Sequence, residues 1–155
     1  MIEVDPNKIE VETKLELKLP YNMKLIIIIE PGDGEMWGRI DAPYTLLTTV
    51  RNTVEEITQN LKDLIQDHLD NEGKEQAEWQ GIKVEDIKFE YVYDLTELFD
   101  VLSAVKINAI ADLAGINQSL LRQYASGVKY PSPTQAKKIQ EAVHQLGQKL
   151  LQVSI

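Results

Sequence analysis

The stretch from Ile107 to Pro131, INAIADLAGINQSLLRQYASGVKYP, leaves its part of the chain few conformational choices. Asn108 is a good N-cap, and Ile110, Ala111, Leu113 and Ala114 follow at helical spacing. Gly115 ends that helix, because the left-handed position after a helix suits a residue without Cβ. Ile116 points back to the core, and Asn117 caps a second helix. There Leu121, Tyr124 and Ala125 share one face, and Gln118, Ser119, Arg122 and Gln123 lie largely on the other. Gly127 stops the second helix and Pro131 prevents its early resumption. The spacing predicts two short helices joined by a tight turn.

A short helix with polar residues in its first turns is what a reader of the DNA major groove needs. The groove admits one helix, and residues near the helix N-terminus reach the base edges. Gln pairs bidentately with adenine and Arg with guanine, so Gln118 and Arg122 are the expected base readers. Ser119 and Lys129 suit phosphate contacts, which position without specifying. With Asn117, Gln123 and Ser126 they complete the expected DNA-binding set. The run GINQSLLRQYASGVKYPS resembles the helix-turn-helix of phage-repressor (Xre-type) regulators. A Gly, a capping polar residue, a Gln-Ser pair, a second Gly and a basic residue before Pro-Ser recur there in register. A plain helical hairpin with a solvated polar face is the structural alternative.

The net charge of −9 is unusual for a DNA binder. Its distribution accounts for part of this. Residues 94–155 hold six basic and five acidic residues, net +1, whereas residues 1–93 hold ten basic and twenty acidic, net −10. An acidic module repels phosphate and attracts basic partners. The split suggests DNA behind and a basic partner in front, with simple solubility as the bland alternative. There is no cysteine, which excludes disulfides and thiolate metal sites and fits a reducing cytoplasm. The longest apolar run, Leu25 to Ile29, is far too short to span a bilayer, and no apolar leader precedes it. The expectation is a soluble cytoplasmic protein with no membrane association.

Ahead of the helical region, residues 1–22 read as an arm. Val11, Leu15, Leu17 and Leu19 alternate weakly with charged residues, as an added edge strand would, until Pro20. Met23 to Glu30 is a continuous β-branched run, expected as a strand buried on both faces. Pro31-Gly32-Asp33-Gly34 is a turn by composition, Met36 to Ala42 the returning strand, and Leu46 to Val50 a short third strand. Thr53 and Glu56 form a capping box, and Val54, Ile57, Leu61, Leu64, Ile65 and Leu69 mark one face of a helix reaching Asn71. Residues 72–81 read as a polar loop, and Ile87 to Tyr93 alternates as a fourth strand.

The order β-β-β-α-β, carried by LIIIIEPGDGEMWGRIDAPY and TTVRNTVEEITQNLKDLIQDHL, resembles the HicB family, the antitoxins of HicA–HicB toxin–antitoxin pairs. The matching features are a strand, an acidic Gly turn, an aromatic-led strand and a T-x-E-E helix. DAPYTLLTT stands where the family carries Pro-x-x-x-Gly-Cys. The resemblance implies an α+β chain in which a partial RNase H-like β-β-β-α-β domain over 23–93 precedes an all-α helix-turn-helix domain over 94–155. It implies that the front domain binds and neutralises a HicA-like toxin, a small basic ribonuclease acting on mRNA. The rear domain would repress its own operon by binding the operator.

In the rear domain Asp94 is expected to cap a helix with Glu97 at its third position, and Ser132 or Thr134 to cap a long last helix. The Ala136, Ile139, Val143, Leu146, Leu150 stripe of that helix can close the core or pair with a second copy. A reader of paired half-sites needs two copies, so a homodimer or higher even oligomer is expected. No cofactor, phosphate-loop or catalytic-serine fingerprint is present. His68 and His144 lack ligand-spaced companions and read as surface or boundary residues, so no metal and no enzymatic activity are expected. Glu30, Asp33, Glu35 and Asp41 are of a type that holds metals in nucleases. Together with Trp37 they read better as the surface for the basic toxin. The rival reading is a stand-alone transcription regulator whose front domain senses a small molecule or oligomerises.

Overall fold

The computed structural model describes residues 23–32 and 34–155. The arm expected over residues 1–22 and the turn residue Asp33 lie outside the described residues. The described chain is mixed α and β, with a four-stranded mixed sheet and five α-helices. Strands β1 (Lys24–Pro31), β2 (Met36–Ala42) and β3 (Thr45–Arg51) form an antiparallel meander. Helix α1 (Val54–Asp70) then crosses over, and β4 (Lys88–Tyr93) pairs parallel with β1, giving the order β3-β2-β1-β4. Parallel pairing requires such a crossover, because a tight turn can only return the chain antiparallel. Helices α2 (Thr96–Val101), α3 (Ile107–Ala114), α4 (Gln118–Ala125) and α5 (Pro133–Leu151) follow.

The Thr53–Glu56 capping box forms as the sequence predicts: the Glu56 amide donates to Thr53 Oγ1 and the Thr53 amide to Glu56 Oε2, both at 3.2 Å. Ile57, Leu61 and Ile65 of α1 pack on the inner sheet face, against Leu25, Ile27, Ile29 and Ile40. At Gly38 α1 approaches the sheet closely, and a Cβ there would overlap the Ile57 side chain. A second core joins the helices around Leu95, Phe99, Ile110, Ala111, Ile116, Leu121, Tyr124, Ile139 and Ala142.

Several local expectations change in three dimensions. The first strand is not buried on both faces: Ile26 on the outer face is 47% exposed, because it lines an open groove between the sheet and the helical part. The stretch 72–81 is not simply a polar loop. It winds through 3₁₀ turns at Glu72–Glu75 and Ala77–Trp79 and buries Trp79, whose indole N–H donates to the Pro43 carbonyl at 3.2 Å. His68 is buried rather than at the surface, edge-on to the Trp79 ring with centroids 5.1 Å apart, its Nε2 3.3 Å from Gln76 Oε1. Asp94 does not cap its helix in the predicted register: α2 starts at Thr96, and Asp94 Oδ1 instead accepts from the Thr96 amide and hydroxyl at 3.2 and 2.7 Å. Asn108 is not an N-cap, since α3 already begins at Ile107 after Lys106. Ser132, not Thr134, caps α5, with Pro133 in its first turn.

The two cores meet through few contacts. The Asp94 amide donates to the Ile29 carbonyl at 2.7 Å and the Tyr93 amide to the Pro131 carbonyl at 2.9 Å. Between them Arg39 reaches from β2, with Nη2 3.3 Å from Asp94 Oδ2 and 3.2 Å from the Tyr130 hydroxyl, and Nη1 3.5 Å from Glu30 Oε2. No helix among the described residues is long and apolar enough to cross a membrane.

Candidate nucleic-acid interface

Backbone chemistry builds the α3–α4 turn. Gly115 sits at φ 63° and ψ 36°, a left-handed conformation that Gly adopts without a Cβ penalty. The Ile116 amide then reaches back to the Ala111 carbonyl at 3.0 Å and the Gly115 amide to that of Asp112 at 3.3 Å. This pair of bonds satisfies the last carbonyls of α3 and turns Ile116 into the core. Asn117 Oδ1 accepts the amides of Ser119 and Leu120 at 2.9 and 3.3 Å, so the cap predicted for α4 is in place. The same device ends α4. Gly127, at φ 74°, lets the Val128 amide bond the Gln123 carbonyl at 3.0 Å.

Leu121 and Tyr124 anchor α4 in the core, and burial pushes the Tyr124 hydroxyl pKa upward. Asn117, Ser119, Arg122, Ser126 and Lys129 are exposed, while Gln118 and Gln123 are half-buried. Two α3 residues hold the expected readers: Asp112, which sequence reasoning passed over, and Asn108, which it read only as an N-cap. Gln118 Nε2 donates to Asp112 Oδ1 at 3.4 Å, and Arg122 Nη2 to Asn108 Oδ1 at 2.7 Å. Asn108 and Asp112 are one turn apart on the exposed side of α3, which is the signal that identifies them. Arg122 has five N–H donors, so a bond to Asn108 leaves most of the fork for a base edge. Ser126 Oγ turns inward to the Gln123 carbonyl at 3.3 Å.

The expected acidic surface divides. Glu30 and Trp37 face each other across β1 and β2, and Asp41 lies on the same outer face. Trp37 is 54% exposed. Glu35 is exposed in the segment before β2, and Asp33 lies outside the described residues. Glu30 is half-buried, and its carboxyl pKa is raised, first by loss of hydration and then by the nearby Asp94 and Glu97 carboxylates, against the opposing pull of Arg39. Asp41 and Lys129 line one open groove of about 510 Å³ between the outer sheet face and the end of α4. Ile26, Ile28 and Val92 form one side and Tyr124, Val128 and Tyr130 the other. Lys129 therefore shares a groove with an acid of the sheet. Among the described residues no group of His, Asp and Glu side chains is arranged to hold a metal ion.

Comparison of the chain with protein-family models, with curated proteins and with solved structures finds no significant match.

Proposed function

We propose that this chain is an antitoxin of the HicB type, with a partial RNase H-like front domain over 23–93 and a helix-turn-helix over 94–155. The front domain binds and neutralises a small basic ribonuclease toxin, and α4 reads the operator of the chain's own operon. The observation that carries the reading is the α3–α4 unit. A left-handed Gly115, the Asn117 cap and the Gly127 stop present Gln118, Ser119 and Arg122 together on the side of α4 away from Leu121 and Tyr124. That is the geometry a major-groove reader requires. The excess of acid in residues 1–93 supports a basic partner for the sheet.

The reading is tested with the chain, the DNA upstream of its gene and the product of the neighbouring gene. The expected result is a footprint on two related half-sites, lost in Arg122→Ala, and co-purification of a small basic protein whose mRNA cleavage the chain suppresses. A second reading, a regulator that senses a small molecule, draws on the groove between Ile26, Ile28, Val92 and Tyr124, Val128, Tyr130. Operator binding without a basic protein partner decides for it.

A further inference from the structure

We propose that the edge of β3, which has no partner strand among the described residues, receives an extended basic segment of the partner protein as a further strand. The inference rests on the basic-partner reading above and names how that partner is held. β3 ends the sheet, and its residues pair one for one with β2 from Met36↔Arg51 to Ala42↔Thr45, so no bulge twists the edge away. Its far side carries amides and carbonyls with no partner strand among the described residues. Edge strands are usually blunted by Pro, Lys or inward charges. TLLTTVR has no Pro or Lys, and its one charge, Arg51, stands at the end on the α1 side of the sheet.

The flanks select the occupant. Helix α1 lies over β3 and is tied to it where the Thr49 hydroxyl donates to Asn60 Oδ1 at 2.6 Å. Glu56, Asp63 and Asp67 stand four residues before, three after and seven after Asn60, so they share its side of the helix, and all three are exposed. On the other face of the sheet β3 presents Leu46, 61% exposed, Thr48 and the half-buried Val50, opposite Asp41, Arg39 and Trp37 of β2. An added strand therefore meets the α1 carboxylates on one face and Leu46, Thr48 and Val50 on the other. A segment alternating basic and apolar residues satisfies both, with main-chain bonds supplying affinity and the alternate side chains selectivity. A second copy of this chain does not, because its own Glu56, Asp63 and Asp67 would face their equivalents.

Hydrogen exchange on the full chain tests this, using an alternating Lys–Val peptide as probe and a Glu–Val peptide of equal length as control. The alternate amides of residues 45–51 that do not bond β2 should exchange fast in the free chain and slow by about tenfold or more with Lys–Val. Thr48→Lys, and independently Leu46→Lys, place a like charge on the exposed edge and should weaken Lys–Val binding by about tenfold or more, with unchanged circular dichroism. Slowing confined to other residues, equal binding of Glu–Val, or protection of 45–51 in the free chain overturns the proposal. So does an oligomeric state that falls in Thr48→Lys, which assigns the edge to a second copy. A basic protein partner whose affinity ignores both lysine variants overturns the edge site and leaves the antitoxin reading standing. Lys–Val docking at 45–51 in a chain that binds no basic protein does the reverse.

Discussion

At the residue scale the side chains expected to read DNA are already held. Arg122 rests on Asn108 and Gln118 on Asp112, so their rotamers are restricted before any duplex arrives. Gln118→Ala and Arg122→Ala should each cost about 1–3 kcal/mol on the operator, the worth of a good bidentate base contact. Lys129→Ala should weaken operator and scrambled duplex alike and lower the salt slope by about one unit if it contacts phosphate. Titrations of the three variants at several salt concentrations check this, and operator affinities equal to the parent's remove α4 as the reader. Glu30 makes a separate prediction. Its pKa is raised in the folded state, so the fold binds this proton more tightly than the unfolded chain does. The associated stability is fully present below the unfolded value and is lost as pH rises through the folded one. Glu30→Gln should therefore melt above the parent at neutral pH, with the gap closing as pH falls to the ordinary glutamate range. A gap independent of pH would contradict the assignment.

At the element scale the short helices depend on their ends, since each runs only two turns or so. Asn117→Ala removes the acceptor of two α4 amides and should cost about 1 kcal/mol of stability. The sheet depends on close approach to α1. Gly38→Ala should lower stability by about 1–3 kcal/mol, because Ile57 must move for a Cβ to fit. Thermal melts of both variants check this, and an unchanged melting temperature in Gly38→Ala would mean that α1 does not bear on β2 there. Trp79 shows what element-level pattern reading misses. Its surroundings, EGKEQAEWQG, are polar, so no periodicity marks it. It is nevertheless a buried anchor that seats the segment after α1 against His68 and Pro43.

At the scale of the whole molecule, the excess acid lies in the front part, while exposed apolar side chains occur in both parts. The front 93 residues are net −10 and should associate with a basic partner at a rate that falls as salt rises. A rate unchanged between low and high salt counts against steering. Leu150, Leu151, Val153 and Ile155 are exposed at and beyond the end of α5, next to the half-buried Val143 and Leu146. Leu150→Asp with Val153→Asp should convert an even oligomer to monomer at micromolar concentration by sedimentation, without loss of helix content; a parent that is already monomeric rules out this seam. Features set within one or two turns of chain were legible in the residues alone. Gly115 and Gly127 at positive φ, the Asn117 cap and the Thr53–Glu56 box depend on neighbouring backbone and side-chain atoms alone. The alternation of β4 likewise shows which of its residues share a face. Which faces are covered depends on contacts between elements distant in the chain. Ile26 is exposed and Ile28 buried within one uninterrupted apolar run, although both line the groove against the helical part. The Arg39 clasp on Asp94 and Tyr130 spans 55 and 91 residues, and local propensity carries no information about a pairing at that separation.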